Sequence, residues 1–132
     1  MFKEYSEFVD GVTSDASKDL KVFVAHLVKL DKTSHVNIPR LITGGIGMNA
    51  EAGEFADIVK KLAFHGKMID GDTEAHLKKE LGDVFWYWIQ NCIALNLDPM
   101  DVIAANQEKL EARYKEGKFT AAQSATRKEG DI

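Results

Sequence analysis

Glu51-Ala-Gly-Glu54 and Glu80-Leu-Gly-Asp83 both stand within the stretch from Asn49 to Trp88, and the reading of that stretch decides the fold. Around the first phrase, Met48, Phe55, Ile58, Val59 and Leu62 recur at helical spacing. Around the second, Leu77, Leu81, Val84, Trp88, Cys92 and Leu95 form one stripe. If both segments are helical, the i, i+3 spacing turns the second acid about 60° from the first, one turn along. Each pair then points one way, and two facing helices would bring four carboxylates together.

Such a cage carries a formal charge of about −4, and left alone its members would repel and some would take up protons. A divalent cation removes the conflict. Magnesium, with manganese as a substitute, suits all-oxygen ligation, whereas zinc or copper would want His or Cys, which neither phrase contains. Di-iron bundles add a Glu-x-x-His phrase on two helices, and none occurs in this chain. Glu51, Glu54, Glu80 and Asp83 are therefore the candidate metal ligands. A solvated helix face gives the same Glu-x-x-Glu spacing, but here both phrases carry a Gly before the second acid, Gly53 and Gly82. Gly inside a helix costs roughly 1 kcal/mol against Ala, so each is expected to admit the close approach of another backbone.

Composition narrows the classes of function. A chain of 132 residues, 45% of them hydrophobic, reads as one domain with a small core. The net charge of −4 and pI near 5.5 leave no basic stripe to line a duplex, so a nucleic-acid partner is not expected. The longest apolar run, Val84 to Leu97, is broken by Gln90, Asn91 and Asn96 and is too short for a bilayer. The N-terminal Met1-Phe-Lys-Glu-Tyr5 lacks the apolar core of a secretory signal. One cysteine, Cys92, in an apolar setting suits a buried position in a reducing cytoplasm. A soluble, cytoplasmic protein without a membrane partner is the expectation.

The remaining segments also read as helices. Phe2, Tyr5, Phe8, Val9 and Val12 make a first helix ending near Gly11. Ser14 or Asp15 can cap a second, whose stripe is Leu20, Phe23, Val24, Leu27 and Leu30, and these aromatics are core candidates. His26 and His35 read as ordinary histidines, His35 standing close enough to the ligand helix to reach its mouth. Asn37-Ile-Pro39 starts the helix that runs to about Phe64. Gly44, Gly45 and Gly47 lack the Lys-Ser/Thr of a phosphate loop, so they imply close helix packing or a break near Gly47. His65-Gly66 is a stop, and Asp72 can cap the following helix. Asp98-Pro99 begins the last helix, stopped by Gly117.

On these helices further candidates emerge. Lys61 shares a side with Glu51 and Glu54, as a phosphate partner or a plain surface lysine. Tyr87 follows Glu80 and Asp83 on one face and could stack on a nucleobase, or be a core tyrosine with its hydroxyl at the rim. Because Trp86, Ile89 and Ile93 lie off the main stripe, their helix is apolar nearly all round. The fold class expected is all-α, a bundle of four to five helices completed by oligomerisation as a homodimer or homotetramer. Residues 1–119 would form the domain and 120–132 a flexible C-terminal tail.

Glu51-x-x-Glu54, Glu80-x-x-Asp83 and Asn106-x-x-Lys109-Leu-x-x-x-Arg113-Tyr114, in this order, resemble the MazG-like branch of the all-α nucleoside triphosphate pyrophosphatases. The resemblance covers roughly Gly45 to Phe119. It implies Mg²⁺-dependent hydrolysis between the α- and β-phosphates of a nucleoside triphosphate, giving a monophosphate and pyrophosphate. On that pattern Glu51 and Glu54 are the catalytic acids, Glu51 also taking the proton of water, and the four acids hold one or two ions. Asn106, Lys109 and Arg113 would contact the sugar and phosphates, although Lys109 and Arg113 could simply pair with Glu108 or Glu111. Ala50 stands where many relatives have a further Glu, which puts in doubt any role of that acid. The alternatives are a relative specialised for dUTP, dCTP or a phosphoribosyl-ATP, and a non-catalytic helical interaction module.

Overall fold

The computed structural model describes residues 1–114 and 116–125, and among them it is all-helical with no strand. Six α-helices follow in order: α1 (Phe2–Val12), α2 (Leu20–Thr33), α3 (Ile38–His65), α4 (Gly71–Leu95), α5 (Pro99–Arg113) and α6 (Ala121–Ala125), with a single 3₁₀ turn at Asp15–Ser17 before α2. The all-α expectation holds, with one helix more than four to five. The extra element, α6, falls in the segment read as a tail, whose remainder from residue 126 lies outside the described residues.

Local chemistry sets most boundaries. Asn37 caps α3 by accepting from the Arg40 amide at 3.0 Å, with Pro39 in the first turn. The helix then runs unbroken through Gly44, Gly45 and Gly47. It ends at Gly66, whose φ of 65° is the left-handed value a glycine takes without a Cβ penalty. Asp98 caps α5 through the Met100 amide at 2.7 Å. Two caps differ from expectation. Asp19, not Ser14 or Asp15, caps α2, because the 3₁₀ turn uses up the chain between. Asp70, not Asp72, caps α4, accepting from the Thr73 amide at 2.8 Å. The last long helix also stops at Arg113, with Gly117 in a following turn that donates to the Tyr114 carbonyl.

The body of the fold is the antiparallel hairpin of α3 and α4, which pack along most of their length. At one end the Asn37 amide donates to the Ala94 carbonyl at 2.9 Å, and Asn96 Nδ2 donates to the His35 carbonyl at 3.0 Å. Further along, Gly44 lies against Asn91 and Gly47 against the Tyr87 ring; a Cβ on either glycine would come under 3.0 Å from the facing side chain. Close packing is thus the reason for these two glycines. Gly53 and Gly82 have nothing within 4 Å of a built Cβ, so no neighbour within the described chain explains them.

Cys92 and Ala94 are buried in the hairpin with Ile38 at its edge, but the aromatic stripes of the first two helices are not. Phe2 is 87% exposed, and Tyr5, Phe8, Leu20 and Phe23 are exposed too, which corrects their reading as core. The physical reason is that, among the described residues, α1 has no extensive packing partner and α2 touches mainly the 3₁₀ turn before it. On α4, Leu81, Phe85, Trp86 and Ile93 are also exposed.

Candidate metal centre

The hairpin places the two acidic phrases opposite each other. Because α3 and α4 run antiparallel, the turn of α3 carrying Glu51 and Glu54 meets the turn of α4 carrying Glu80. One carboxylate oxygen from each of Glu51, Glu54 and Glu80 lies within 4.8 Å of the others. Three of the four candidate ligands thus converge. Asp83, exposed and one turn further along α4, is outside this closest group, yet its charge reaches Glu51.

Two features of the cluster are electrostatic. The Glu51 carboxyl is raised above the usual glutamate range, first because it is withdrawn from water and then because Glu54, Asp83 and Glu80 repel its negative form. Glu80 is only 6% exposed, and its Oε2 is buried without a hydrogen-bond partner among the described residues. Its other oxygen, Oε1, stands 2.9 Å from His76 Nε2, one turn earlier on α4. A buried carboxylate oxygen with no donor is costly. A cation among Glu51, Glu54 and Glu80 would satisfy it, and the all-oxygen donor set fits a hard divalent ion. Sequence reasoning passes over His76; its four-residue spacing from Glu80 is the signal that could have found it.

The other candidates are distributed as follows. Lys61 is ion-paired with Asp57, as is Lys60, and these two contacts hold the Asp57 carboxyl down at about 2. Lys61 also lines a pocket of about 220 Å³ with Ile58, Leu62, Lys67, Thr73 and His76, which brings it next to the cluster through His76. The Tyr87 ring is half-buried on Gly47, two turns beyond Glu80. Asn106, Lys109 and Arg113 lie on α5, which does not pack extensively on α3 or α4, so the chain does not gather them around the acids. Asn106 instead borders a cleft of about 360 Å³ between α5 and the segment that follows it, with Leu110, Tyr114 and Phe119. His35 does not reach the centre. Its carbonyl is held by Asn96, sixteen residues from Glu80 and so about 24 Å away along the α4 axis.

An all-α hairpin presenting clustered carboxylates from two antiparallel helices defines a helical protein with a candidate divalent-metal centre. Comparison with families of known proteins then resolves the class. The MazG nucleotide pyrophosphohydrolase domain matches residues 46–118, and the chain belongs to that family. The matched span takes in all of α4 and α5 and the part of α3 that holds the acids. Comparison with curated proteins and with solved structures gave no match.

Proposed function

We propose that the protein is a Mg²⁺-dependent nucleoside triphosphate pyrophosphohydrolase, with Mn²⁺ as a substitute ion, that converts an NTP or dNTP to the monophosphate and pyrophosphate. The observation that carries this reading is the convergence of Glu51, Glu54 and Glu80 within 4.8 Å, in a chain of the nucleotide pyrophosphohydrolase family. Asp83 completes the ligand set from the next turn of α4. A bound ion supplies charge neutralisation at phosphate oxygens and a more acidic water.

In the reaction, the oxygen of water bonds to the α-phosphorus while the bond from that phosphorus to the bridging oxygen breaks. The bridging oxygen leaves with pyrophosphate. Glu51 accepts the proton of water, a role suited to a carboxylate whose proton affinity is raised. Glu54 and Glu80 would hold that ion together with Glu51. Lys109 and Arg113 steady the departing pyrophosphate, as cationic donors do, and Asn106 orients sugar or phosphate. Lys61 contacts phosphate once it exchanges Asp57 for the substrate, and Tyr87 offers its ring to the base.

Because α5 stands off the hairpin, a single chain does not bring these cationic groups to the acids. Association does so most simply. The many exposed large apolar residues of α1, α2 and α4 support a homodimer or homotetramer that covers part of them. The described residues contain no helix long and apolar enough to cross a membrane, and the single buried thiol of Cys92 suits the cytoplasm, where its substrates are.

The test is pyrophosphate release across a panel of NTPs, dNTPs and phosphoribosyl-ATP with Mg²⁺, beside Glu54→Gln. Turnover that falls by about 100-fold or more in the variant is expected. Equal activity in the variant refutes the metal assignment. Turnover of dUTP, dCTP or phosphoribosyl-ATP alone assigns a specialised relative, and silence across the panel assigns a non-catalytic helical module.

A further inference from the structure

Glu80 differs from its neighbours in the cluster in how its carboxylate is held. It is the buried acid, and its two oxygens have different surroundings: Oε1 faces His76 Nε2 at 2.9 Å, while Oε2 is enclosed without a partner among the described residues. A carboxylate is free to rotate about its last torsion, which for Glu is broad and roughly two-fold. An anchor on one oxygen removes that freedom and decides which oxygen stays available.

We propose that His76 is a positioning residue for the metal centre: by engaging Oε1 it locks the Glu80 carboxylate with Oε2 free for the ion shared with Glu51 and Glu54. The inference rests on the reading of the cluster as a metal site. His76 does not belong to the close-packed oxygen group, so its part is to orient a ligand. Its side chain is 58% exposed and borders the pocket shared with Lys61, Lys67 and Thr73, so replacing it removes little packing. The anchor lies one helical turn before Glu80, so the α4 backbone fixes the separation of the two side chains and nothing else in the fold has to move.

The same helical arithmetic supplies the control. On α5, Gln107 Nε2 donates to Glu111 Oε1 at 2.7 Å, an i, i+4 pair of the same sense. A Gln at position 76 can therefore reach Glu80 in the manner of the native His, whereas Ala cannot. Partners that orient metal ligands typically carry about 10- to 100-fold in metal affinity.

The experiment is calorimetric titration of Mn²⁺ into the nucleotide-free protein for wild type, His76→Ala and His76→Gln, with kcat and KM measured against Mg²⁺ concentration. His76→Ala is expected to bind Mn²⁺ about 10-fold more weakly. It should regain kcat at high Mg²⁺ with KM for nucleotide unchanged, and His76→Gln should recover most of the affinity. Equal affinity in wild type and His76→Ala overturns the inference and leaves the metal site standing, as does a His76→Gln variant no better than Ala. If the wild type itself takes up no Mn²⁺, the reading of the site falls and the inference with it.

Discussion

The ring of Tyr87 on α4 lies against the backbone of Gly47 on α3, so close that a Cβ on Gly47 would come under 3.0 Å from three ring atoms. One turn of each helix away, Gly44 and Asn91 repeat the arrangement. These two contacts seat the hairpin below the carboxylates, and through them the spacing of Glu51 and Glu80 depends on residues that touch no acid.

Gly47→Ala sets two effects against each other. Ala gains about 1 kcal/mol over Gly in a helix interior, but overpacking against the ring costs about 1–3 kcal/mol. Net destabilisation is expected, by up to about 2 kcal/mol, with a loss of Mg²⁺ response as α3 is pushed outward. In a Tyr87→Ala background the clash is gone, and Gly47→Ala should instead stabilise. Denaturant melts of the four proteins form a double-mutant cycle; a Gly47→Ala effect of the same size and sign in both backgrounds would show that ring and glycine are not coupled.

The exposed aromatics lead to a prediction about mass. Phe85 on α4 is 58% exposed and stacks on Trp88 at 5.6 Å, extending an apolar face with Leu81. Sedimentation at micromolar concentration should give a dimer or tetramer. Phe85→Glu should shift that distribution to the monomer, because a carboxylate buried in an apolar contact lacks a partner. A wild-type chain that sediments as a monomer would refute the assembly and leave the α5 cations without a route to the acids.

What the sequence disclosed and what it withheld divide along the range of the forces involved. The caps at Asn37 and Asp98, the stop at Gly66 and the i, i+3 acid pairs are set by residues a turn apart, and the sequence displays them directly. Antiparallel α3 and α4 then follow from a short connection. Burial is a different matter: the periodicity of Phe2, Tyr5 and Phe8 shows that a face is apolar, but not what covers it, and among the described residues nothing extensive does. The same holds for glycines. Gly44 and Gly47 meet side chains while Gly53 and Gly82 meet none among the described residues, a distinction fixed by helix rotation across the interface. His76 escaped because its meaning depends on the burial of Glu80, which only the folded chain reveals.

Acid stability should report on Asp57. Its carboxyl is held at about 2 against an ordinary 3.8, by hydrogen bonds to Lys60 first and Lys61 second. A carboxyl with a lowered folded-state pKa contributes stability that is present above its unfolded value and lost as pH falls through the folded one. The decline should therefore lie between about pH 4 and pH 2. Asp57→Asn should flatten the melting temperature over that window and leave its slope above pH 5 unchanged. Both lysines are substantially exposed, so salt should shrink the difference. Identical acid limbs in wild type and variant would show that the pairs carry no folding energy.

Glu51 has the opposite sign. Its carboxyl is raised by withdrawal from water and by the charges of Glu54, Asp83 and Glu80, so the folded state holds that proton more tightly than the unfolded chain does. Its contribution is then most favourable below the ordinary value of 4.5 and is lost as pH rises past the raised one, leaving the ion-free protein strained by its own acids at neutral pH. Glu51→Gln removes one of the repelling charges, so the ion-free variant should melt higher than the ion-free wild type at pH 7. Added Mg²⁺ should reverse the order, since ion binding stabilises by RT ln(1 + [L]/Kd) and the variant has lost a ligand. Thermal melts with EDTA and with millimolar Mg²⁺ decide it. A variant that melts lower in EDTA would mean the four acids do not repel, and one that responds to Mg²⁺ as the wild type does would remove Glu51 from the ligand set.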